Sequence, residues 1–310
     1  MWRLRILILT LFFVVSLGTS WAMSFNYHPP QDLKNLRKLN TIIGNLSYHI
    51  VQPGETFLDI ARDYGLGFNE MEDLYPNIDP WIPPQGFEVL LPTQWIVPIV
   101  EDPEIVINVA EMRLYYFRKE RGIVETYPIG IGDIGFETPV GSYKVAQKRK
   151  NPYWYVPKSL WSETTERVVP PGPDNPLGEY WLGLSLEAYG IHGTNFPWAI
   201  GRLVTLGCIR LYPEHIKGLY ERVNVGTKVR LIYEPVKIGF RGGEIYVEAH
   251  PDRYNKKKNL FKEVLAKLDS MGIYYHLDEA ELSRIIYAHD GIPHRVGFVK
   301  GIYDKKGGGR

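Results

Sequence analysis

Residues 191–195 read Ile-His-Gly-Thr-Asn, and residues 205–211 read Thr-Leu-Gly-Cys-Ile-Arg-Leu. These two segments decide how the chain is interpreted, because they place its single cysteine, Cys208, shortly after His192. A thiol attacks as the thiolate, and its free pKa is about 8.5, so it needs a base or a cation close by. The interval between the two residues leaves room for a strand, a turn and a returning strand that bring their side chains together.

The residues around Cys208 suit acyl transfer. Gly207 lets the backbone pass closely, and consecutive N–H groups there can hold an oxyanion. Arg210 lies two residues on, on the same face of an extended segment, where it can bind a substrate carboxylate. Spacing alone leaves another interpretation open, because an isolated cysteine is most often a small buried apolar residue and an isolated histidine a packed polar one.

Taken together, the two segments resemble the signature of the L,D-transpeptidase catalytic domain of the YkuD type. That signature is His-Gly-Thr followed by Ser/Thr-x-Gly-Cys-Ile/Val-Arg. The resemblance extends over about residues 104–234 and includes 127–130, 138–141, 170–178 and 197–201. It implies a mostly β catalytic domain, a β-sandwich or barrel with a short helix, of the ErfK/YbiS-like branch.

The resemblance implies a role for each residue of the motif. Cys208 would be the nucleophile and His192 the general acid and base, with the Gly193 carbonyl orienting the imidazole. The substrate side of the site would then be formed by Gly207, Arg210, Thr205 and Asn195, with the amides of Gly207 and Cys208 as the oxyanion hole. One residue departs from the family, because many members have histidine where this chain has Leu206.

The reaction that the resemblance implies is transfer of a peptidoglycan stem peptide through a thioester on cysteine. The acceptor would be another stem peptide, giving 3–3 cross-links, or the lysine of an envelope lipoprotein. Water as acceptor would make the enzyme an L,D-carboxypeptidase. No cofactor and no metal is expected, because the eight histidines show no ligand spacing with carboxylates.

Two other functions remain open from the sequence. The first is a cysteine peptidase of the kind also fused to wall-binding modules. Such enzymes place cysteine before histidine in the chain, whereas here His192 precedes Cys208. The second is a non-catalytic peptidoglycan-binding scaffold, against which the intact Cys/His pair argues.

Residues 48–92 are predicted to form strand, helix, helix and strand. Thr56 is the predicted N-cap of the first helix, with Asp59 completing a short capping box, and Gly65 ends the helix. With Gly-Glu-Thr, Ile-Ala, Tyr-Gly and a closing Leu-Pro, the stretch resembles a LysM module, although its Asn77 is shifted by one position. The resemblance implies binding of glycans that contain N-acetylglucosamine; a packing domain without ligand is the alternative.

The first 22 residues are predicted to be a signal peptide. Arg3 and Arg5 precede an apolar run over 6–17, and Ser20-Trp21-Ala22 gives small residues at the cleavage site. The expected location is the periplasm, with no membrane span after cleavage; an uncleaved anchor is the alternative. Lys plus Arg number 36 and Asp plus Glu 35, a balance that lacks the charge of a nucleic-acid binder.

Two further segments are distinctive. Residues 150–178 combine prolines with aromatic side chains and no period, which is typical of a functional loop. We predict an ordered lid or groove wall there, with a mobile surface loop as the alternative. Residues 235–310 are predicted to be an α/β or helical extension, mainly helical, in which Gly272 ends one helix and Asp278 caps the next. Its function is not indicated by the sequence.

Overall fold

The computed structural model describes residues 22–27, 38–162 and 164–302, without the side chain of Ile302. The predicted signal peptide therefore lies outside the described residues, except for Ala22. Among the described helices, none has the length and apolar character needed to cross a membrane. The chain forms an N-terminal part, a central part and a C-terminal part. One hydrophobic core lies in the central part, one lies mainly in the C-terminal part, and a third is shared by the N-terminal and central parts.

The N-terminal part follows the predicted order of strand, helix, helix and strand. Thr56 Oγ1 accepts the amide of Asp59, whose carboxylate accepts the amide of Thr56, so the predicted capping box is present. Buried Phe57 and Ile60 pack this helix against the core. The elements are β1 (Met23–Asn26), β2 (Ile42–Gly44), β3 (Ser47–Ile50), α1 (Phe57–Asp63), α2 (Phe68–Leu74), β4 (Glu88–Leu91) and β5 (Gln94–Ile96), with β3 antiparallel to β4.

The central part is mostly β, as predicted. Its elements are β6 (Ile105–Asn108), β7 (Arg113–Arg118), β8 (Ile123–Pro128), β9 (Ile131–Gly132), β10 (Gly141–Lys150), β11 (Trp154–Tyr155), β12 (Val168–Val169), β13 (Tyr180–Leu184), β14 (Gly190–His192), β15 (Leu203–Thr205), β16 (Ile209–Arg210), α3 (Pro213–Arg222) and β17 (Lys228–Ile232). Among the described residues a nine-stranded curled sheet has the order β1-β8-β7-β6-β17-β10-β13-β14-β16. The motif residues thus lie at one end of this sheet.

Two segments without a predicted pattern contain strands. The lead-in before residue 48 contributes β1, which pairs with the sheet edge at β8, and β2, which pairs with β5. Strand β5 lies in the segment 93–104, whose Pro98 and Pro103 are typical of a linker. Each of these strands has only three or four residues, too few to show alternation, and its partner is remote in sequence.

In the segment 150–178, β11 pairs with β12 in antiparallel orientation, and a proline-rich loop follows. Asn175 is fully buried, and its amide donates to the carbonyl groups of Pro152 and Pro170 at 2.8 and 3.2 Å. One side chain therefore ties both ends of the segment together, which favours a groove wall.

The C-terminal part corrects the prediction of a mainly helical extension. The two predicted helices are present, and Asp278 caps the second by accepting the amide of Glu281. The two helices pack on an antiparallel sheet of order β18-β19-β21-β20. The sequence does not indicate this sheet, because over short runs the buried apolar residues of a strand and of a helix give the same pattern. The elements are β18 (Val236–Arg241), β19 (Glu244–Ala249), α4 (Leu260–Ser270), β20 (Ile273–Leu277), α5 (Glu279–Ala288) and β21 (His294–Ile302).

Candidate active site

The turn between β15 and β16 carries the cysteine. Thr205 Oγ1 accepts the Gly207 amide at 3.1 Å and donates to the Cys208 carbonyl at 2.7 Å, which closes the turn. Gly207 has φ +101°, and a Cβ there would lie 2.6 Å from the Tyr189 ring. The turn therefore requires glycine at this position on both steric and backbone grounds.

Parallel pairing of β14 with β16 brings the histidine beside the cysteine's strand. His192 lies opposite Arg210 in the register, and the Leu211 amide donates to the His192 carbonyl at 2.8 Å. Cys208 immediately precedes β16, so both reactive side chains lie at the same edge of the sheet. The interval between the motifs predicts a turn and a returning strand, whereas the two strands are parallel and are joined by a crossover that contains β15.

The His192 ring is buried and oriented by its neighbours. Its Nδ1 donates to the Gly193 carbonyl at 2.6 Å, the role predicted for that carbonyl, and this leaves Nε2 as the basic nitrogen. Burial, and next the positive charge of Arg210, lower the pKa of His192 to about 3. The imidazole is therefore neutral near pH 7.

Trp181 is a site residue that the sequence did not indicate. Its ring stacks on His192 with centroids 5.7 Å apart and an angle of 22° between the planes. The only signal for it is the strand register, which sets Trp181 opposite His192 across β13 and β14. The contact limits rotation of the imidazole about its side-chain bonds.

The half-buried Cys208 thiol is neutral in the resting state. Burial raises the pKa of Cys208 to about 11, although the Gly190 amide and the charge of Arg210 act in the opposite direction. Its Sγ lies 3.5 Å from the Ala188 carbonyl, as a weak donor. The thiol and the imidazole are therefore both neutral near pH 7.

Arg210 provides positive charge next to this pair. Burial lowers the pKa of Arg210, opposed by the thiolate charge of Cys208. Its Nε is buried and has no hydrogen-bond partner within the described part of the chain. A guanidinium in this state is suited to a carboxylate, which would supply the missing acceptor.

The predicted oxyanion hole is only partly available. The Gly207 amide already donates to Thr205 Oγ1, so it is not free to hold an oxyanion. The Cys208 amide donates to no protein group among the described residues. Thr205 thus shapes the turn, and of the two predicted donors only the Cys208 amide has no partner among the described residues.

Asn195 lies apart from the cysteine. With Gly193 and Thr194 it lines a cavity of about 850 Å³, bounded by the proline-rich loop 171–173 and by the first turn of α3. Asn195 is exposed there, whereas Cys208 does not line this cavity. Of the predicted site residues, Gly193 and Asn195 therefore line this cavity, and Cys208 does not.

A cluster of possible metal ligands lies elsewhere. Ligand atoms of Glu111, Glu248 and His250 lie within 4.8 Å of one another, all buried. Lys237 Nζ lies 2.7 Å from Glu111 Oε1 and 2.7 Å from Glu248 Oε1, which is where a cation would lie. The cluster is therefore an ion-pair network built around a lysine.

Known proteins are similar to much of this chain. The L,D-transpeptidase catalytic-domain family, YkuD, matches residues 102–231. The chain is 39% identical over 256 residues to the probable L,D-transpeptidase YbiS of Escherichia coli, which covers 80% of this chain and 82% of the relative. It is 38% identical over 240 residues to the probable L,D-transpeptidase ErfK/SrfK of Escherichia coli, covering 75% of each chain. These alignments are longer than the matched catalytic domain, so the similarity extends beyond it.

Proposed function

The chain belongs to the L,D-transpeptidase family, and we propose that it is an exported enzyme that acts on peptidoglycan stem peptides through a Cys208 thioester. The observation that carries this proposal is the placement of Cys208 and His192 at one edge of the sheet by the β14–β16 pairing. The oriented, neutral imidazole supports a general-base role, and the adjacent unpaired Arg210 supports recognition of a carboxylate.

In the first step, Cys208 Sγ attacks the carbonyl of the third stem residue while its proton passes to His192 Nε2. A tetrahedral oxyanion forms, for which the free Cys208 amide is the available donor. The C–N bond to the terminal D-alanine then breaks, and His192 returns the proton to the leaving amine. A thioester on Cys208 remains.

In the second step, an acceptor amine attacks the thioester carbonyl and gives its proton to His192. The C–S bond breaks, and Cys208 takes the proton back as a thiol. We propose a stem-peptide amine or the lysine of an envelope lipoprotein as acceptor, since either satisfies this chemistry. Analysis of the cross-linked products by mass spectrometry distinguishes the two, and trimmed peptides alone would indicate a carboxypeptidase.

The N-terminal part supports a second element of the proposal, binding to the wall. Its strand–helix–helix–strand order agrees with the LysM resemblance, and it exposes Tyr48 and Trp81, with 64% and 55% of their surfaces accessible. Exposed aromatic rings suit stacking on sugars. Export to the periplasm rests on the predicted signal peptide and on the location of the substrate.

The decisive experiment is intact-mass spectrometry after incubation with a carbapenem, an acyl donor for a nucleophilic cysteine. We expect one adduct on Cys208 in the native protein, and none in Cys208→Ala. His192→Ala should acylate at least about a hundredfold more slowly, because it removes the general base. Both variants should keep the native circular-dichroism spectrum and their binding to isolated peptidoglycan.

The opposite result has a clear meaning. A folded protein that forms no adduct, yet still binds peptidoglycan, would be a wall-binding scaffold. An adduct that persists in Cys208→Ala would contradict the assignment of the nucleophile.

A further inference from the structure

We propose that Tyr254, in the C-terminal part outside the matched catalytic domain, is a positioning residue for the turn that carries Cys208. The inference rests on the proposed function, since it assigns the C-terminal part a role in the same site. It depends on a chain of contacts from the Tyr254 hydroxyl to the backbone of Gly207.

The first contacts close a loop over residues 132–138, called here the strap. Tyr254 Oη donates to the Gly132 carbonyl at 2.5 Å and accepts the Thr138 amide at 3.3 Å. The Gly132 amide in turn donates to Thr138 Oγ1 at 2.9 Å. One phenol hydroxyl therefore joins the two ends of the strap.

The strap is packed directly on the nucleophile's turn. A Cβ added to Gly132 would lie 2.9 Å from Gly207 Cα and 2.1 Å from the Phe136 carbonyl oxygen. The amide of Asp133 donates to the Thr205 carbonyl at 2.9 Å, and β9 pairs with β15 at this point. The strap thus contacts both Thr205 and Gly207, the two residues that shape the turn before Cys208.

Tyr254 is itself held in place. Its ring is 9% exposed and lies parallel to the Tyr233 ring, with centroids 5.5 Å apart. The Tyr254 amide donates to Tyr233 Oη at 2.9 Å, and Tyr233 Oη donates to Asp252 at 2.6 Å. On the other side, Arg253 donates to both oxygens of Asp73 on α2, at 2.5 and 2.6 Å.

Through these contacts the Tyr254 hydroxyl links the strap beside Cys208 to the C-terminal part, and the neighbouring Arg253 links the same segment to the N-terminal part. Without the hydroxyl, the Gly132 carbonyl and the Thr138 amide lose a buried partner, and the strap is free to move away from Gly207. The thiol would then sample positions that are unsuitable for attack. Tyr254 touches neither substrate nor sulfur, so its effect acts through the turn alone.

The test compares Tyr254→Phe with the native full-length chain, using the carbapenem as the probe. We expect the first-order rate constant of acylation to fall about tenfold, with little change in the concentration that gives half the maximal rate. The pH profile of Cys208 alkylation by iodoacetamide should also shift, because the surroundings of the thiol change. Tyr116→Phe is the matched control, since its hydroxyl donates to the Arg222 carbonyl at 3.3 Å, away from the strap.

A second pair of variants tests the strap from its other end. Thr138→Val removes the acceptor of the Gly132 amide and should change both measurements in the same direction as Tyr254→Phe. Thr138→Ser keeps that hydroxyl and should behave like the native chain.

The proposal is overturned if Tyr254→Phe keeps the native acylation constant and alkylation profile, whatever happens to its thermal stability. If the native chain itself forms no adduct, the proposed function fails. The alkylation profile of the variant then still decides whether Tyr254 positions the thiol.

Discussion

At Cys208 and His192, burial determines the charge state of the reacting pair. The pKa of the thiol is raised to about 11 and that of the imidazole is lowered to about 3, so neither group is charged near neutral pH. A preformed thiolate–imidazolium pair would need the opposite shifts. We therefore expect the neutral thiol to react slowly with alkylating reagents; in the proposed mechanism it becomes nucleophilic only as His192 takes its proton.

This charge state predicts slow alkylation of Cys208 by iodoacetamide at pH 7. A pKa of about 11 instead of 9.0 leaves about a hundredfold less thiolate, so the native chain should react about a hundredfold more slowly than the guanidine-unfolded chain. The native rate should keep rising with pH up to about 11. The measurement is unambiguous because the chain has one cysteine, and Cys208→Ala provides the blank. Equal rates in the two states at pH 7 would indicate a preformed thiolate.

Arg210 should contribute to activity at the expense of stability. Its buried Nε lacks a partner in the described chain, and partial desolvation of a cation is unfavourable. Arg210→Met should therefore raise the free energy of unfolding by about 1 kcal/mol and lower kcat/KM about a hundredfold, through loss of carboxylate binding. Arg210→Lys should lose most of the activity as well, because an ammonium cannot bind a carboxylate in two-point fashion. Urea unfolding and steady-state kinetics check the two effects. An Arg210→Met variant that is less stable than the native chain would contradict this account.

Among the elements, we expect the turn from Thr205 to Cys208 to have the largest effect on acylation. Thr205→Val removes both hydrogen bonds of the hydroxyl and leaves the Gly207 amide without its acceptor. We expect a loss of about 1–2 kcal/mol in the free energy of unfolding and at least tenfold slower acylation. Thr205→Ser keeps the hydroxyl and serves as the control. Faster acylation in Thr205→Val would mean that the released Gly207 amide is the oxyanion donor, as first predicted from the motif.

Sequence signals contained within one element predict that element, whereas pairings between segments remote in sequence are not indicated. The capping box at Thr56 and the cap at Asp278 are contained within four residues, so propensity and spacing suffice to find them. The strands β1 and β2 are short, and their pairing depends on residues far along the chain. Similarly, the occupied Gly207 amide depends on the conformation of the turn, which spacing does not specify.

At the scale of the whole molecule, charged side chains form ion pairs across the boundaries between the three parts. Arg113 of the central part pairs with Glu70 of α2 at 2.5 Å, and Arg62 of α1 pairs with Glu214 of α3 at 2.9 Å. The N-terminal part is thus held against the central part by specific polar contacts in addition to apolar packing. No pattern in the sequence indicates these pairs, because each partner by itself resembles an ordinary surface charge.

The network around Lys237 should be the most sensitive of these junctions. Lys237 Nζ lies between Glu111 of the central part and Glu248 of β19, and it also donates to the carbonyl of Ile96 at 2.8 Å. All three charged side chains are almost fully buried. Removing one member leaves the others as uncompensated buried charges. Removing one positive and one negative member together leaves less uncompensated charge.

Lys237→Met should therefore lower the free energy of unfolding by about 3–5 kcal/mol, while Lys237→Met combined with Glu248→Gln should recover part of that loss. Urea unfolding of the full chain, followed by tryptophan fluorescence, measures both. Lys267→Met is the control: its pairs with Glu234 and Glu263, at 3.4 and 3.5 Å, are partly exposed and should matter by less than about 1 kcal/mol. If Lys237→Met cost no more than this control, or if the second substitution only added to the loss, the buried network would not hold the C-terminal part in place.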